Sequence, residues 1–336
     1  MTDTNPNRTL ICNTMQEMVD SIWLRMSMTL NLAITIAAFP ILIYTIHYIN
    51  SQRLFHPNTR IQIRVHILAI LVHCVGRFFL HSLDLINYFN NSGCDALPDF
   101  YRCFVVRGLY NFGLALAPMC SAALVIERSF ALAYSSSYEW CGKSFGVLLA
   151  LVQLVLTFAF LFKLYASATF VPDPSVTLYY CQTLASGHGS VWSINAQLYV
   201  VLVGQCVCRL VFWYLAVRTK KVQQTRTLQS LSTRYTLQQG VRSIKALKTF
   251  INANFFVFFF FSFIGTTLHF NLSRMSRPTY FALVEMCHFI PTYGIVLSIY
   301  TYHSLRKLDE KQKTSLSKSI HVHPDEYLVQ FKQQIS

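Results

Sequence analysis

Seven long apolar runs, separated by short polar segments, constrain this chain more than any other feature. A helix needs about 20 predominantly apolar residues to cross the hydrocarbon core of a bilayer. The runs lie at about residues 23–49, 65–89, 103–134, 144–166, 193–217, 248–272 and 279–302. We therefore predict an all-α membrane protein, in which a bundle of seven transmembrane helices forms one domain over residues 23–303.

The composition argues against a soluble protein. Hydrophobic residues make up 53% of the chain and charged residues only 12%, about half the charged share of an ordinary soluble domain. The net charge is +14, but the basic residues lie in short loops between the apolar runs and not on one soluble face. We therefore predict the lipid bilayer, and no nucleic acid, as a partner. Residues 1–22 lack the apolar region of a signal peptide, so the first run is predicted to act as an uncleaved signal anchor.

The distribution of basic residues predicts the orientation in the membrane. Cytoplasmic loops carry an excess of Lys and Arg, and most of the 28 such residues follow the first, third, fifth and seventh runs. The N-terminus (1–22) is therefore predicted to be extracellular and the tail (304–336) cytoplasmic. Three Asn-x-Ser/Thr sequons, at Asn7, Asn90 and Asn271, all fall on the predicted extracellular side and are candidate N-glycosylation sites.

The third run carries a landmark at each end. Cys103 begins it, and Cys181 lies in the long second extracellular loop, an oxidising location in which a disulfide is stable. We expect a Cys103–Cys181 disulfide, with Cys94 as a rival partner. Glu127-Arg128 ends the run, and at about 1.5 Å per residue its separation from Cys103 spans a membrane with its interface. An acid beside a permanent cation at this boundary suits a contact with a neighbouring helix that is made in one conformational state and broken in another. The alternative is an ordinary Arg that marks the inner boundary of the membrane.

Ionisable residues inside the spans indicate where a ligand could bind, because each costs several kcal/mol in lipid unless it is paired or hydrated. In the second run, the steps from His73 through Arg77 and His81 to Asp84 place all four side chains on one helical face. By helical rise, Glu285 in the seventh run lies at a depth similar to that of Asp84. The functional interpretation is a ligand pocket, and the alternative is a polar network that fixes helix packing. The pocket candidates are Arg77, His81, Asp84, Asn111, Glu285 and His288.

Two families share motifs with this chain. Glu127-Arg128-Ser129 resembles the Asp/Glu-Arg-Tyr at the end of the third helix of rhodopsin-like receptors, but Ser replaces Tyr, and the seventh run has Pro291-Thr292-Tyr293 in place of Asn-Pro-x-x-Tyr. A closer resemblance covers nearly the whole chain. It is to the nematode serpentine chemoreceptors of the Sra superfamily, with the alpha/beta class nearest. It rests on Glu-Arg-Ser-Phe-Ala from Glu127, on Leu-Ser-Thr-Arg-Tyr-Thr-Leu-Gln-Gln at 231–239, and on His-Phe-Ile-Pro from His288.

This resemblance implies a G-protein-coupled receptor at the plasma membrane, in sensory cilia among other sites, for a small chemical that binds between the outer halves of the helices. It implies coupling to a heterotrimeric G protein through Glu127, Arg128, Arg234 and Tyr235, and it leaves a receptor dimer or heteromer open. The second and seventh helices are neighbours in such receptors, so the resemblance also implies a pair between Glu285 and either Arg77 or His81. We expect no cofactor, no metal and no enzymatic activity, since no His-x-x-x-His pair occurs. The rivals are a ligand-gated cation channel of the insect olfactory type, with inverted topology, and a non-signalling heteromer partner.

Overall fold

A computed structural model describes residues 6–52, 55–134, 138, 142–167, 180–181, 191–225 and 231–322. Within these ranges the fold is entirely helical, as predicted. The helices are α1 Pro6–Asp20, α2 Ile22–Ser51, α3 Pro57–Asn90, α4 Phe100–Ala133, α5 Ser144–Ser167, α6 Val191–Thr225, α7 Leu231–Phe270, α8 Arg277–Cys287 and α9 Ile290–Val322. Seven stretches of the described chain are long and apolar enough to cross a membrane: one in each of α2 to α7, and one formed by α8 together with α9. The predicted number of apolar helices of membrane length, seven, is confirmed.

Local sequence fixes where several helices begin. The Ser21 hydroxyl accepts a hydrogen bond from the Leu24 amide at 3.3 Å and caps α2, and the Asp99 carboxylate does the same for α4. Pro57 opens α3, where its missing amide hydrogen and fixed φ suit the first helical turn. These caps satisfy amide groups that have no acceptor within their own helix.

The seventh span differs from the single helix predicted at 279–302. Helix α8 ends at Cys287 and α9 begins at Ile290, so His288 and Phe289 interrupt the span. Pro291 explains the break, because proline has no amide hydrogen to donate to the carbonyl four residues earlier. The backbone at His288 is not helical (φ −83°, ψ 70°), and the break exposes carbonyl groups inside the bundle.

The tightest contact in the bundle is between α3 and α4, and two glycines permit it. A Cβ atom at Gly76 would lie 2.4 Å from the Tyr110 amide nitrogen, and one at Gly113 would lie 2.3 Å from the Ala69 carbonyl oxygen. Small residues let helix backbones approach closely in membranes, where packing rather than the hydrophobic effect drives association. Large apolar side chains that point away from the bundle, such as Phe162, are exposed and face the lipid.

A helix covers one end of the bundle in a region that the sequence prediction treated only as an extracellular segment. Met15 and Met18 of α1 are fully buried against the ends of α3 and α8. A disulfide joins Cys12 to Cys94, and Gly93, at a φ of 52° that favours glycine, donates its amide hydrogen to the Gln16 side chain at 2.8 Å. The covered end also contains Cys103, and we call it the Cys103 end. The opposite end is called the Arg128 end.

At the Arg128 end, α6 and α7 continue well beyond their apolar runs. Helix α6 reaches Thr225 and α7 begins at Leu231, so both helices extend into residues 218–247, the segment between the fifth and sixth apolar runs. Helix α9 likewise continues to Val322, through much of the segment predicted as the tail. Residues 226–230 and 323–336 lie outside the described part of the chain.

Candidate functional site

A buried carboxylate at the Cys103 end lies between two arginines. Glu285 and Arg77 are completely buried, and Arg107 is nearly so. One carboxylate oxygen of Glu285 lies 3.3 Å from Arg107, and the other lies 3.6 Å from Arg77 and 3.5 Å from His81. The close His81 nitrogen accepts a hydrogen bond from Arg77 Nε at 3.1 Å. That nitrogen therefore carries no proton, and the two arginines are the cations that balance Glu285.

Arg77 also caps the break in the seventh span. Its two terminal nitrogens donate to the backbone carbonyls of Glu285, at 2.8 Å, and of His288, at 2.5 Å. Asn31 of α2 donates to the same Glu285 carbonyl at 3.0 Å. A helix end leaves carbonyl groups without partners and carries a partial negative charge. The sequence prediction paired Glu285 with either Arg77 or His81, and both lie near its carboxylate, but the shorter contacts of Arg77 are to the backbone.

The other pocket candidates surround this group. Asp84 pairs with Arg102 at 2.9 Å, and His288 Nδ1 lies 2.6 Å from the carbonyl oxygen of Val284, one turn earlier in α8. Asn111 is buried on α4, one turn after Arg107. We call Arg77, His81, Arg107 and Glu285 the Cys103-end network. It joins α3, α4 and α8.

A second buried ion pair lies at the Arg128 end, where Arg128 contacts two other helices, α3 and α7. Its Nε donates to Glu127 at 2.5 Å, and its terminal nitrogens donate to the hydroxyls of Thr59, at 2.7 Å, and of Ser243, at 3.4 Å. The Thr59 hydroxyl in turn donates to Glu127 at 3.0 Å, and the Tyr138 hydroxyl also donates to Glu127. We call these five residues the Arg128-end network. They tie α4 to α3 and α7.

Tyr138 lies in the connection between α4 and α5, outside the spans. Burial, reinforced by the Glu127 carboxylate, raises the pKa of Tyr138 above its usual value. The hydroxyl therefore keeps its proton at neutral pH and stays a donor to Glu127. The ring packs against His56 with centroids 4.4 Å apart and against Phe130 at 6.3 Å, so it is held from both sides.

A third polar group lies halfway between the two ends, and the sequence prediction missed it. The Tyr293 hydroxyl is 2.9 Å from His66 and 3.2 Å from Asn254, while Asn254 donates to the side chains of Ser121 and Gln205. We call these five residues the mid-bundle network. It connects α3, α4, α6, α7 and α9, and two of these helices, α3 and α4, also contribute to both end networks.

The remaining predicted residues are placed as follows. Cys103 forms a disulfide with Cys181, whereas Cys94, the rival partner in the sequence prediction, pairs with Cys12, because α1 folds back over this end. Asn90 is the exposed last residue of α3, and Asn271, just after α7, donates to the Thr267 carbonyl. Asn7 lies in α1, and Arg234 and Tyr235 lie in α7, but the side chains of these three residues fall outside the described part of the structure.

Four residues belong to the two end networks without having been predicted as site residues: Arg107, Thr59, Tyr138 and Ser243. Arg107 had a signal, since it is a charged residue one turn after Cys103 in an apolar run. Tyr138 had none, because it lies in a loop. Among the described residues, no group of three or more His, Cys, Asp or Glu side chains could hold a metal ion.

Comparisons with known proteins identify the family. Residues 9–336 match the model of the serpentine type 7TM GPCR receptor class ab chemoreceptors. Serpentine receptor class beta-6 of Caenorhabditis elegans is 25% identical over 256 residues, which cover 74% of this chain and 71% of that protein. Two other receptors of that organism, class alpha-39 and class alpha/beta-14, are 24% and 26% identical over 212 residues each, and the matches cover 54% and 51% of their lengths.

The relatives thus come from the alpha, beta and alpha/beta classes of one receptor group, and this family consists of chemoreceptors, which are not enzymes. The match extends over nearly the whole chain, including all seven spans and both end networks. The chain therefore belongs to the serpentine 7TM GPCR chemoreceptors of receptor class ab.

Proposed function

We propose that this protein is a G-protein-coupled chemosensory receptor of the plasma membrane, in sensory cilia among other sites, with its N-terminus outside and its tail in the cytoplasm. A small chemical binds near the Cys103 end, and a heterotrimeric G protein binds at the Arg128 end. The observation that carries this proposal is the position of Arg128, a single buried guanidinium that holds α4 to both α3 and α7.

The Arg128-end network represents the resting state in this proposal. A G protein needs a groove between the helix ends, and the Arg128–Ser243 hydrogen bond holds α7 against α4 and closes that space. Movement of α7 away from α4 breaks this bond and opens the groove, a two-state change of the kind that a ligand can bias. The G protein also meets the helical extensions of α6 and α7, with Arg234 and Tyr235 as proposed contacts.

The ligand site is proposed at the Cys103-end network and its neighbours, which include Asp84, Asn111 and His288. Several buried polar atoms in this region lack a hydrogen-bond partner, among them His81 Nδ1, Asp84 Oδ2 and the Tyr110 hydroxyl oxygen. A buried polar atom without a partner costs free energy that a ligand with matching donors and acceptors would recover. The surrounding helices are apolar, so a small apolar molecule with one or two polar groups fits best.

The mid-bundle network lies between the two ends and provides the coupling in this proposal. A ligand that shifts α8 moves α9 and its Tyr293, whose hydroxyl lies near both His66 and Asn254. Asn254 is on α7, the helix that Arg128 holds through Ser243. The change at the ligand end thereby reaches α7, the helix that must move. The shift in the equilibrium between the two states is set by the difference in ligand affinity between them.

Glycosylation mapping tests the orientation. The full chain is expressed in cells with Asn7→Gln, Asn90→Gln and Asn271→Gln variants, and glycan removal is scored as a mobility shift. We expect Asn90→Gln to reduce the shift, because Asn90 is exposed at the Cys103 end. Absence of glycan at every site, together with a cytosolic N-terminal tag, would reverse the orientation and revive the cation-channel alternative, which the family match does not favour.

Nucleotide exchange tests the signalling. Cells that express the receptor with a panel of Gα subunits are exposed to a panel of small volatile and water-soluble chemicals. Arg128→Ala removes the restraint on α7 and also the guanidinium that we propose the G protein contacts in the opened groove. It should therefore abolish every response while surface expression persists. The matched control is Arg60→Gln in α3, which also removes a positive charge. The Arg60 side chain donates a hydrogen bond to the Asn50 carbonyl, and the response of this variant should stay within about twofold of the native response. Full responses from Arg128→Ala would refute the proposed role of the network.

A further inference from the structure

A groove runs along the surface of the bundle between α4 and α6, near the Arg128 end. It has a volume of about 550 Å³, within the usual range of small-molecule sites, and its lining is almost entirely apolar. The groove exists because several side chains on its α4 wall are small, namely Ala122, Ser129 and Ala133. Val207 and Val211 of α6 form the opposite wall. The groove is open toward the outside of the bundle.

The position of the groove determines what can fill it. Nearly all of its lining lies in two membrane spans, Arg102–Ala133 and Leu198–Val222, so the groove faces the hydrocarbon region and not water. An apolar groove at this depth is filled by whatever the bilayer supplies, which is a lipid chain. Each methylene group of a lipid chain in the groove makes van der Waals contacts with the protein that it would not make in the loosely packed hydrocarbon region of the bilayer.

A cation marks the end of the groove toward the polar headgroups. Arg218 follows Val207 and Val211 by eleven and seven residues, about three and two turns, so it lies on the same face of α6 as the groove wall. It is exposed, at about 10 Å of helical rise beyond Val211. Lys220, nine residues after Val211, points about 180° away. The headgroup at the mouth of the groove therefore meets a positive charge.

The groove also touches the residues that hold the Arg128-end network in place. Ser129 and Phe130 directly follow Arg128 in α4 and line the groove. The Phe130 ring lies 4.6 Å from that of Tyr134, another lining residue, and 6.3 Å from that of Tyr138, which donates to Glu127. A chain in the groove thus packs against the aromatic side chains that support the Arg128-end network.

We propose that this groove is a specific site for an anionic phospholipid of the cytoplasmic leaflet, with one acyl chain between α4 and α6 and the headgroup at Arg218. The leaflet assignment rests on the proposed function, which places the Arg128 end in the cytoplasm, where anionic lipids are concentrated. The chemistry of the site itself, an apolar groove with a cation at its mouth, does not depend on that orientation.

Lipid binding to the purified full-length receptor tests the proposal. Phosphatidylserine and phosphatidylcholine with identical acyl chains are titrated into detergent-solubilised protein, and bound lipid is counted by native mass spectrometry. Phosphatidylserine should bind about fivefold more tightly, the factor expected from one basic residue near a headgroup. Ala133→Trp, which fills the groove at an exposed position, should remove bound lipid of both kinds. Arg218→Gln should remove the preference for phosphatidylserine and leave phosphatidylcholine binding unchanged.

Two matched variants make the result specific. Lys220→Gln removes the same charge from the opposite face of α6, and Ala37→Trp adds the same bulk at an exposed position of α2, so both should bind lipid like the native protein. Equal affinity for the two lipids, or loss of binding in the controls equal to that in Arg218→Gln and Ala133→Trp, would overturn the proposal. Detergent has no leaflets and no G protein is present, so a wrong orientation or absent signalling would leave this measurement unaffected.

Discussion

Removal of the charge on Glu285 should destabilise the receptor by a large fraction of its total stability. Glu285→Gln keeps the shape of the side chain and leaves Arg77 and Arg107 buried without a carboxylate. Two opposite charges 3.3 Å apart attract by about 5 kcal/mol at an effective dielectric constant of about 20. Loss of one member of a buried pair typically costs about 3–5 kcal/mol, since the other member stays buried and uncompensated. Whole domains are stable by only about 5–15 kcal/mol.

The assay is a double-mutant cycle on the purified receptor in detergent. Unfolding free energies are measured for Glu285→Gln, for Arg107→Gln and for the double variant. The double variant should cost less than the sum of the single variants by about 1–3 kcal/mol, because removal of both charges leaves neither one uncompensated at this pair. Costs that add within about 0.5 kcal/mol would show that the two side chains do not interact and would refute this account of the network.

An exposed ion pair in the same chain provides the control. Arg306 and Glu310 of α9 lie 2.9 Å apart, closer than Arg107 and Glu285, but both are more than half exposed. Water and salt screen such a pair, so Glu310→Gln should leave the unfolding free energy unchanged within error. Burial, and not distance, is therefore the variable that separates the two variants.

Three further predictions concern packing, covalent links and coupling. Gly76→Ala should destabilise the bundle by about 1–3 kcal/mol in thermal unfolding, whereas Gly108→Ala, with no atom within 4 Å of its Cβ position, should not. Cys12→Ser should cost about 2–4 kcal/mol and expose α1 to limited proteolysis, because it opens a link between residues 82 positions apart; a protease-resistant α1 would contradict this. Tyr293→Phe should cost about 0.5–1.5 kcal/mol and alter basal nucleotide exchange, and an unchanged exchange rate would remove the mid-bundle network from the coupling route.

The seven spans could be predicted because lipid imposes one simple requirement on each of them, a sufficient length of apolar residues. The face shared by Arg77, His81 and Asp84 followed from helical periodicity in the same way. Their position beside Glu285 followed from the resemblance to serpentine receptors, in which the second and seventh helices are neighbours, and both Arg77 and His81 lie beside Glu285. Which cation would approach Glu285 most closely depends on how α4 packs against α8. No pattern within one helix contains that information, and Arg107 was therefore missed.

The ends of the bundle were harder to predict for a related reason. Helix α1 has no long apolar run, and its burial depends on two methionines and on Cys12, whose partner Cys94 is 82 positions away in sequence. Tyr138 joins the Arg128-end network from a loop, where neither periodicity nor composition distinguishes it. The break at His288 could have been inferred from Pro291, but the carbonyl groups that it frees, and their capping by Arg77, depend on the tertiary structure.

Basal nucleotide exchange by a Ser243→Ala receptor tests the central claim most directly, that the Arg128-end network holds the receptor closed to its G protein. Loss of signalling can arise from misfolding, whereas a gain cannot. A hydrogen bond to a charged group is worth at least about 1.5 kcal/mol, and the Arg128–Ser243 bond, at 3.4 Å, belongs at the weak end of that range. Its loss should therefore raise basal exchange by about tenfold. The control is Ser262→Ala, a buried serine of the same helix whose hydroxyl has no hydrogen-bond partner, and it should leave exchange unchanged. If Ser243→Ala and Ser262→Ala both leave basal exchange at the native level, with every Gα subunit and with normal surface expression, the network does not restrain the receptor and the account is wrong.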